Sequence, residues 1–150
     1  MRITLDFASP VLRDAELFAC VARAAVECSI IVCRAHMRRF KTPPLYDSGI
    51  RYRLEAPGVE EFADCESMLQ KGHGDCAHLV AYRCAELREA GELATVRIKW
   101  APMPRNGGQR VFHVVVRRAD GRIEDPSVRL GMHSGDAQTV ERHPVRYKRL

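Results

Sequence analysis

Two residue types that act together in nucleophilic catalysis, a cysteine and a histidine, stand at positions that the surrounding sequence marks out. Cys76 follows Gly74 and Asp75 and precedes apolar residues at helical spacing, so we expect it in the first turn of a helix. Free backbone N–H groups and the positive end of the helix macrodipole would stabilise its thiolate there. Asp75, as the expected N-cap, acts in the opposite direction, because its negative charge disfavours a neighbouring thiolate. Cys76 is therefore a candidate nucleophile, and the alternative is an ordinary buried cysteine.

His113 is the candidate base for such a nucleophile. It lies in the apolar segment VFHVVV of a predicted strand, where a buried imidazole costs free energy unless it is hydrogen-bonded. A three-residue turn ending at Gly121 would bring Asp125, on the returning strand, diagonally next to His113 on the same face. A two-residue turn ending there would instead put Glu124 on that face. Asp125 is thus the expected orienting carboxylate, Glu124 is its alternative, and a purely structural hydrogen bond is the alternative to both.

Two further histidines lie near Cys76 and are rivals to His113 as the base. His78 is two positions after Cys76 on the predicted helix, so their side chains diverge. His73 lies in a glycine-flanked turn that we expect to be mobile. Both are therefore ranked below His113.

The elements that position these residues follow from hydrophobic periodicity and from glycines and prolines. A helix is predicted over 15–39, a short helix over 59–69, a helix from Asp75 that is capped at Gly91, and strands over 95–100, 110–118 and 123–125. The first helix carries two neighbouring apolar stripes, so its apolar surface is wide and must be covered by the domain or by a partner chain. The stripes are Leu17, Val21, Ala24, Cys28, Ile31 and Ala35, and Val26, Ile30, Cys33 and Met37.

Three short motifs in this order resemble the transglutaminase-like branch of the papain-like cysteine enzymes. They are GDC at 74–76 before a helix, His113 opening VVV in a strand, and DPS at 125–127 after a hairpin. The resemblance covers residues 70–127. It implies an α+β domain of the papain or transglutaminase type, in which the nucleophile helix packs on a small antiparallel sheet and the helix over 15–39 is an addition. It also implies a triad of Cys76, His113 and Asp125.

The resemblance further implies acyl transfer on peptide or protein amide bonds through an acyl-thioester, with no cofactor. Gln70 stands six residues before Cys76, as the oxyanion-hole glutamine does in papain-like proteases, and its amide would hold the developing oxyanion together with the Cys76 N–H. Transglutaminases generally use another side chain there. Water as the second substrate gives a thiol protease or deamidase, and an amine gives a cross-linker. The small size of the chain favours hydrolysis over cross-linking.

Two alternatives to this interpretation stay open. DCAHLV at 75–80 echoes the DCSGLV pattern of NlpC/P60 peptidoglycan peptidases, although neither an export signal nor a wall-binding module is visible. A non-catalytic scaffold or assembly protein of the same fold would use the wide apolar helix as its interface, through a homo-oligomer or another partner. The oligomeric state of the chain, together with an unreactive Cys76, would identify such a scaffold.

Length and composition favour one soluble domain spanning 1–150, with an N-terminal helical part at 11–69, a catalytic part at 70–130 and a tail at 131–150. The chain is 46% hydrophobic and 29% charged, and no stretch approaches the roughly 20 apolar residues of a membrane span. The N-terminus lacks a secretory pattern, so we expect a cytoplasmic protein. The net charge of +5 comes mostly from scattered arginines, without the pattern of a nucleic-acid module.

The six cysteines are expected to be free and to hold no metal. Cys76 and Cys84 are roughly 12 Å apart by helix rise, too far for a disulfide. Cys28, Cys33 and His36 lack the paired spacing of a zinc site. Disulfides and structural zinc are therefore not expected.

Overall fold

The computed structural model describes residues 2–6, 15–55, 59–102 and 110–133, and these form a mixed α+β arrangement. The helices are α1 (Ala15–Met37), α2 (Cys65–Lys71), α3 (Cys76–Glu89) and α4 (Pro126–Arg129). The strands are β1 (Arg2–Asp6), β2 (Arg51–Tyr52), β3 (Val59–Ala63), β4 (His73–Gly74), β5 (Thr95–Pro102), β6 (Arg110–Arg117) and β7 (Ile123–Glu124). A 3₁₀ turn, Leu45–Asp47, follows α1.

The two apolar stripes of α1 have different environments. In one stripe, Val26, Ile30 and Cys33 are fully buried and Met37 is partly buried. The other stripe faces outwards, and Ile31 is 64% exposed although Ile30 beside it is 0% exposed. The long helix predicted over 15–39 is confirmed, with its end at Met37. Among the described helices, none is both long enough and apolar enough to cross a membrane.

Helix α3 occupies the centre of the core. Every residue from Cys76 to Tyr82 is buried, which is typical of a helix that is covered on all sides. It packs against α1 on one side and against β6 and α4 elsewhere. Asp75 caps its N-terminus as expected, and Gly91 follows its end with φ +84°, a left-handed conformation that suits glycine.

The largest sheet has the order β5-β6-β7 and is antiparallel throughout. In the β5–β6 pair, Val114 opposes Ile98 and Val116 opposes Val96, and these residues belong to or pack against the hydrophobic core. A helix packed on a small antiparallel sheet is therefore present, as the sequence predicted. The strand predicted over 123–125 ends at Glu124, because Asp125 begins α4 with Pro126 at its first helical position.

The prediction of a helix over 59–69 is wrong in its first half. Residues Val59–Ala63 form β3, which pairs antiparallel with β1. Asp64 then accepts a hydrogen bond from Ser67 N and starts α2 at Cys65. The N-terminal part at 11–69 is thus not purely helical, because strand pairing with a distant segment outweighed the local helical pattern.

The expectation that His73 lies in a mobile turn is also wrong. His73 and Gly74 form β4, which pairs in parallel with β2. Backbone bonds to this strand run from Arg51 N to Gly72 O and from Arg53 N to Gly74 O. In the tail predicted at 131–150, residues 134–150 lie outside the described part of the chain.

Candidate active site

Cys76 is the first residue of the central helix α3. This residue is 9% exposed and belongs to the hydrophobic core. The Asp75 carboxylate accepts hydrogen bonds from the backbone N–H groups of Ala77 at 2.9 Å and His78 at 3.1 Å. Asp75 therefore takes two of the N–H groups of the first turn, and the Cys76 thiol lies beside this capped helix end.

His113 and Asp125 are hydrogen-bonded to each other. The imidazole Nε2 of His113 lies 2.7 Å from Asp125 Oδ2. Burial alone would raise the pKa of Asp125, but the hydrogen bond and charge of His113 and two backbone N–H groups lower it, so the carboxylate is the acceptor. His113 then donates through Nε2, and its Nδ1 is the nitrogen available to accept a proton.

Asp125 is held in place by its second oxygen. Asp125 Oδ1 accepts hydrogen bonds from Ser127 N at 3.1 Å and Val128 N at 3.3 Å, which makes Asp125 the N-cap of α4. One carboxylate thus starts a helix and fixes the ring of His113. Asp125 is therefore positioned by the fold and not by His113 alone.

The turn between β6 and β7 has the register that this pairing requires. Val116 opposes Glu124, and the loop closes with a hydrogen bond from Arg118 N to Arg122 O, as in a three-residue turn. Gly121 ends this turn with φ +85°. The predicted three-residue turn is confirmed.

Glu124, the alternative partner of His113, has a different role. It lies on the opposite face of the hairpin and accepts hydrogen bonds from Tyr46 Oη at 2.5 Å, Arg83 Nε at 2.7 Å and Arg118 Nη1 at 2.5 Å. Burial alone would raise the pKa of Glu124, but these donors lower it to about 2. Glu124 ties β7 to α3.

His113 alternates along β6 with valines of the hydrophobic core. Val114 and Val116 point to the helical side of the sheet, where the core containing Cys76 lies. His113 belongs to the other face, where it opposes the exposed Lys99. The structure therefore brings His113 and Asp125 together, and a contact between His113 and Cys76 stays a prediction.

Gln70, the predicted oxyanion residue, lies on the exposed side of α2. Its side-chain Nε2 is 3.5 Å from Glu66 Oε1, one turn earlier on the same helix. An oxyanion role would require this amide to leave Glu66. The assignment of Gln70 also stays a prediction.

The other cysteines differ in environment from one another. None of the six cysteines forms a disulfide, and Cys20 and Cys28 are exposed. Burial raises the pKa of Cys84 to about 12. A hydrogen bond with Cys65, together with burial, raises the pKa of Cys33, and Cys65 N donates to Cys33 Sγ at 2.9 Å. Cys33 and Cys84 are thus protonated packing residues at neutral pH.

A second polar cluster adjoins Cys76, and the sequence analysis did not predict it as a cluster. His78 Nδ1 lies 2.6 Å from Asp75 Oδ1, and His78 Nε2 lies 3.7 Å from Glu55 Oε1. The side chain of His78 is 4% exposed and that of Asp75 is 5% exposed. Gly74 leaves room for this arrangement, because a Cβ at that position would lie 2.9 Å from the Cβ of His78.

This Glu55–Asp75–His78 cluster lines a cavity of about 380 Å³ whose wall also contains Arg53 and Lys71. Burial alone would lower the pKa of His78, but the charge and hydrogen bond of Asp75 and the charge of Glu55 raise it. Burial and the nearby Asp75 raise the pKa of Glu55 to about 7. The cavity therefore holds a histidine between two carboxylates.

Of the two contacts of His78 in this cluster, the one with Asp75 has a signal in the sequence and the one with Glu55 has none. Asp75 and His78 are three positions apart across a predicted helix start, a spacing that allows contact. Glu55 comes from the connection after β2, twenty-three positions before His78, and no periodicity links them. We find no match for the chain among protein-family models, curated proteins or solved structures.

Proposed function

We propose that this protein is a cysteine-dependent hydrolase or acyltransferase acting on peptide or protein amide bonds. Cys76 is the nucleophile, His113 the base and Asp125 the orienting carboxylate, in a fold of the transglutaminase-like type. The observation that carries the proposal is the 2.7 Å hydrogen bond between His113 and Asp125. It fixes the tautomer that a general base needs.

The chemical steps follow from the atoms in place. The proton of the Cys76 thiol moves to His113 Nδ1, and the Sγ attacks the amide carbonyl carbon. The C–N bond then breaks, the leaving amine takes the proton from Nδ1, and an acyl-thioester remains on Cys76. Water attacks the thioester in the hydrolytic branch and regenerates the thiol. The backbone N–H of Cys76, with Gln70 after it leaves Glu66, would hold the oxyanion.

The elements around His113 connect it to the helix that begins with Cys76. The proposal requires His113 Nδ1 to lie within reach of the Cys76 thiol. Strand β7 pairs with Val116 and Arg117 but not with the part of β6 that contains His113. The edge beside His113 is therefore formed by Asp125 and α4, and α4 packs on α3. This connection from α3 through α4 to Asp125 supports the proposal.

Trapping of the acyl-enzyme tests the proposed function. The protein is incubated with p-nitrophenyl acetate, quenched in acid and mapped by peptide mass spectrometry. We expect acetylation at Cys76 that is lost in Cys76→Ala and slowed at least about 100-fold in His113→Ala. Cys84→Ala is the matched control and should acetylate Cys76 at the wild-type rate. Acetylation of exposed Cys20 and Cys28 as fast as Cys76 would contradict the proposal.

The second candidate function is a non-catalytic assembly protein, and the outward apolar stripe of α1 favours it. Ile31 is 64% exposed, and Ala24, Cys28 and Ala35 on the same stripe are also exposed. In this case Cys76 reacts no faster than the exposed cysteines and the chain self-associates. Sedimentation of the wild type and of Ile31→Glu distinguishes the two functions, because a monomeric wild type removes the basis for the second.

A further inference from the structure

The position of His78 in the cavity beside α3 has the form of a metal ligand. Its Nδ1 is 2.6 Å from Asp75 Oδ1, so this ring nitrogen is the donor to the carboxylate. Metal-binding histidines are typically oriented in this way, by a carboxylate that accepts from one nitrogen and leaves the other bare. The other nitrogen here is Nε2, which lies on the side of Glu55 and would give up any proton that it carries on binding an ion.

The distance between His78 and Glu55 fits an ion between them better than a direct bond. Nε2 and Oε1 are 3.7 Å apart, longer than the roughly 3.2 Å limit of a good hydrogen bond. Two ligands about 2.0–2.2 Å from a tetrahedral zinc ion are about 3.3–3.5 Å apart, so a small inward shift would suffice. Glu55 is kept in position through its other oxygen, because Oε2 accepts from Glu61 N at 2.8 Å.

Asp75 acts here as the orienting group. Its three hydrogen bonds to Ala77 N, His78 N and His78 Nδ1 all end on Oδ1. Because Oδ1 contacts the ring through Nδ1, it lies on the far side of the imidazole from Nε2. Asp75 therefore fixes the histidine, and its negative charge strengthens the imidazole as a ligand.

We propose that the Glu55–Asp75–His78 cluster binds a divalent ion of the zinc class, with His78 Nε2 and Glu55 Oε1 as ligands and Asp75 as the orienting carboxylate. The ligand atoms that these three residues offer lie within 4.8 Å of one another. The cavity of about 380 Å³ leaves space for water or a small anion to complete the coordination. The proposal is independent of the proposed cysteine chemistry, since neither His113 nor Asp125 takes part.

The charges around the cavity are compatible with an ion of this class. Lys71 lies on the wall, but its Nζ is paired with Glu61 at 3.2 Å. Arg53 Nη1 lies 3.4 Å from His73 Nε2. Glu61 thus compensates the charge of Lys71, whereas the contact with His73 does not compensate that of Arg53. A divalent ion would balance the two carboxylates that face His78.

Titration of the full chain with Co²⁺, a spectroscopic stand-in for zinc, tests this site. We expect one equivalent to bind with a d–d absorption band typical of nitrogen and oxygen ligands and without a thiolate charge-transfer band. Glu55→Gln should weaken binding at least about tenfold. Asp120→Asn removes an exposed carboxylate that does not line the cavity and should bind as the wild type does.

Cys76→Ser separates this site from the candidate active site. It should leave Co²⁺ binding unchanged, whereas loss of binding in this variant would move the metal to the thiol and overturn the proposal. Unchanged binding in Glu55→Gln, or no binding by the wild type, would also overturn it. In the unmodified chain, NMR should show Co²⁺ broadening the ring signals of His78 before those of the other five histidines, which gives a test that needs no substitution.

Discussion

His113 and Asp125 form a 2.7 Å hydrogen bond across a hairpin, on residues twelve positions apart. The bond depends on one feature of the chain, the three-residue turn that ends at Gly121 with φ +85°. A turn shorter by one residue would place Asp125 on the other face of the sheet. The turn therefore selects the carboxylate that meets the histidine.

Substitution of Asp125 should separate its structural role from its charge. Asp125→Ala removes the N-cap of α4 and the acceptor of His113, and should lower the free energy of unfolding by about 1–3 kcal/mol. Asp125→Asn keeps a capping oxygen and should cost less than half as much. Urea unfolding of both variants measures this difference. Equal losses would mean that charge, and not capping, holds Asp125 in the fold.

The stability of the fold should depend on Glu124 in acid. Its pKa is lowered to about 2 in the folded state from an ordinary value of 4.5, so its contribution is complete above pH 4.5 and is lost as the pH falls towards 2. In Glu124→Gln, the loss of stability that protonation of Glu124 causes between pH 4.5 and pH 2 should be absent. At pH 7, Glu124→Gln should lower the free energy of unfolding by about 1–3 kcal/mol, because Arg83 and Arg118 lose a charged acceptor.

Urea unfolding between pH 2 and pH 6 measures the Glu124 effect. The wild type should lose stability more steeply than Glu124→Gln as the pH falls. Parallel curves for the two proteins would show that the ion pairs of Glu124 are not what stabilises the hairpin against α3.

Truncation of two adjacent isoleucines on α1 should change the stability of the fold to very different extents. Ile30 is 0% exposed and Ile30→Ala should cost about 2–5 kcal/mol, because it leaves a cavity in the core. Ile31 is 64% exposed and Ile31→Ala should change stability by no more than about 0.5 kcal/mol. Thermal unfolding at low protein concentration gives both values. A large cost for Ile31→Ala would show that the outer stripe is covered in solution.

Local sequence signals were sufficient for part of the fold. The helices α1 and α3 were predictable because apolar spacing and the Asp75 cap act within each segment. The β6–β7 hairpin was predictable because turn length and side-chain parity fix which residues share a face. In each case the partners lie close together in the sequence.

The remaining features depend on partners far apart in the sequence. Strand β3 was predicted as helix because its partner β1 is more than fifty residues away. Glu55 meets His78 only because β2 and β4 pair in parallel and carry the following loop to the start of α3. The exposed position of Gln70 likewise follows from how α2 packs, which spacing from Cys76 does not determine.

The reactivity of Cys76 with iodoacetamide as a function of pH tests the central claim most directly. Labelling is read by peptide mass spectrometry, with exposed Cys20 and Cys28 as references within the same chain. We expect Cys76 to label well below the ordinary thiol pKa of about 8.5, with a profile that moves to higher pH in His113→Ala and stays unchanged in His36→Ala. A Cys76 that labels no faster than the reference cysteines, with no change on removal of His113, would contradict the proposed catalytic pair.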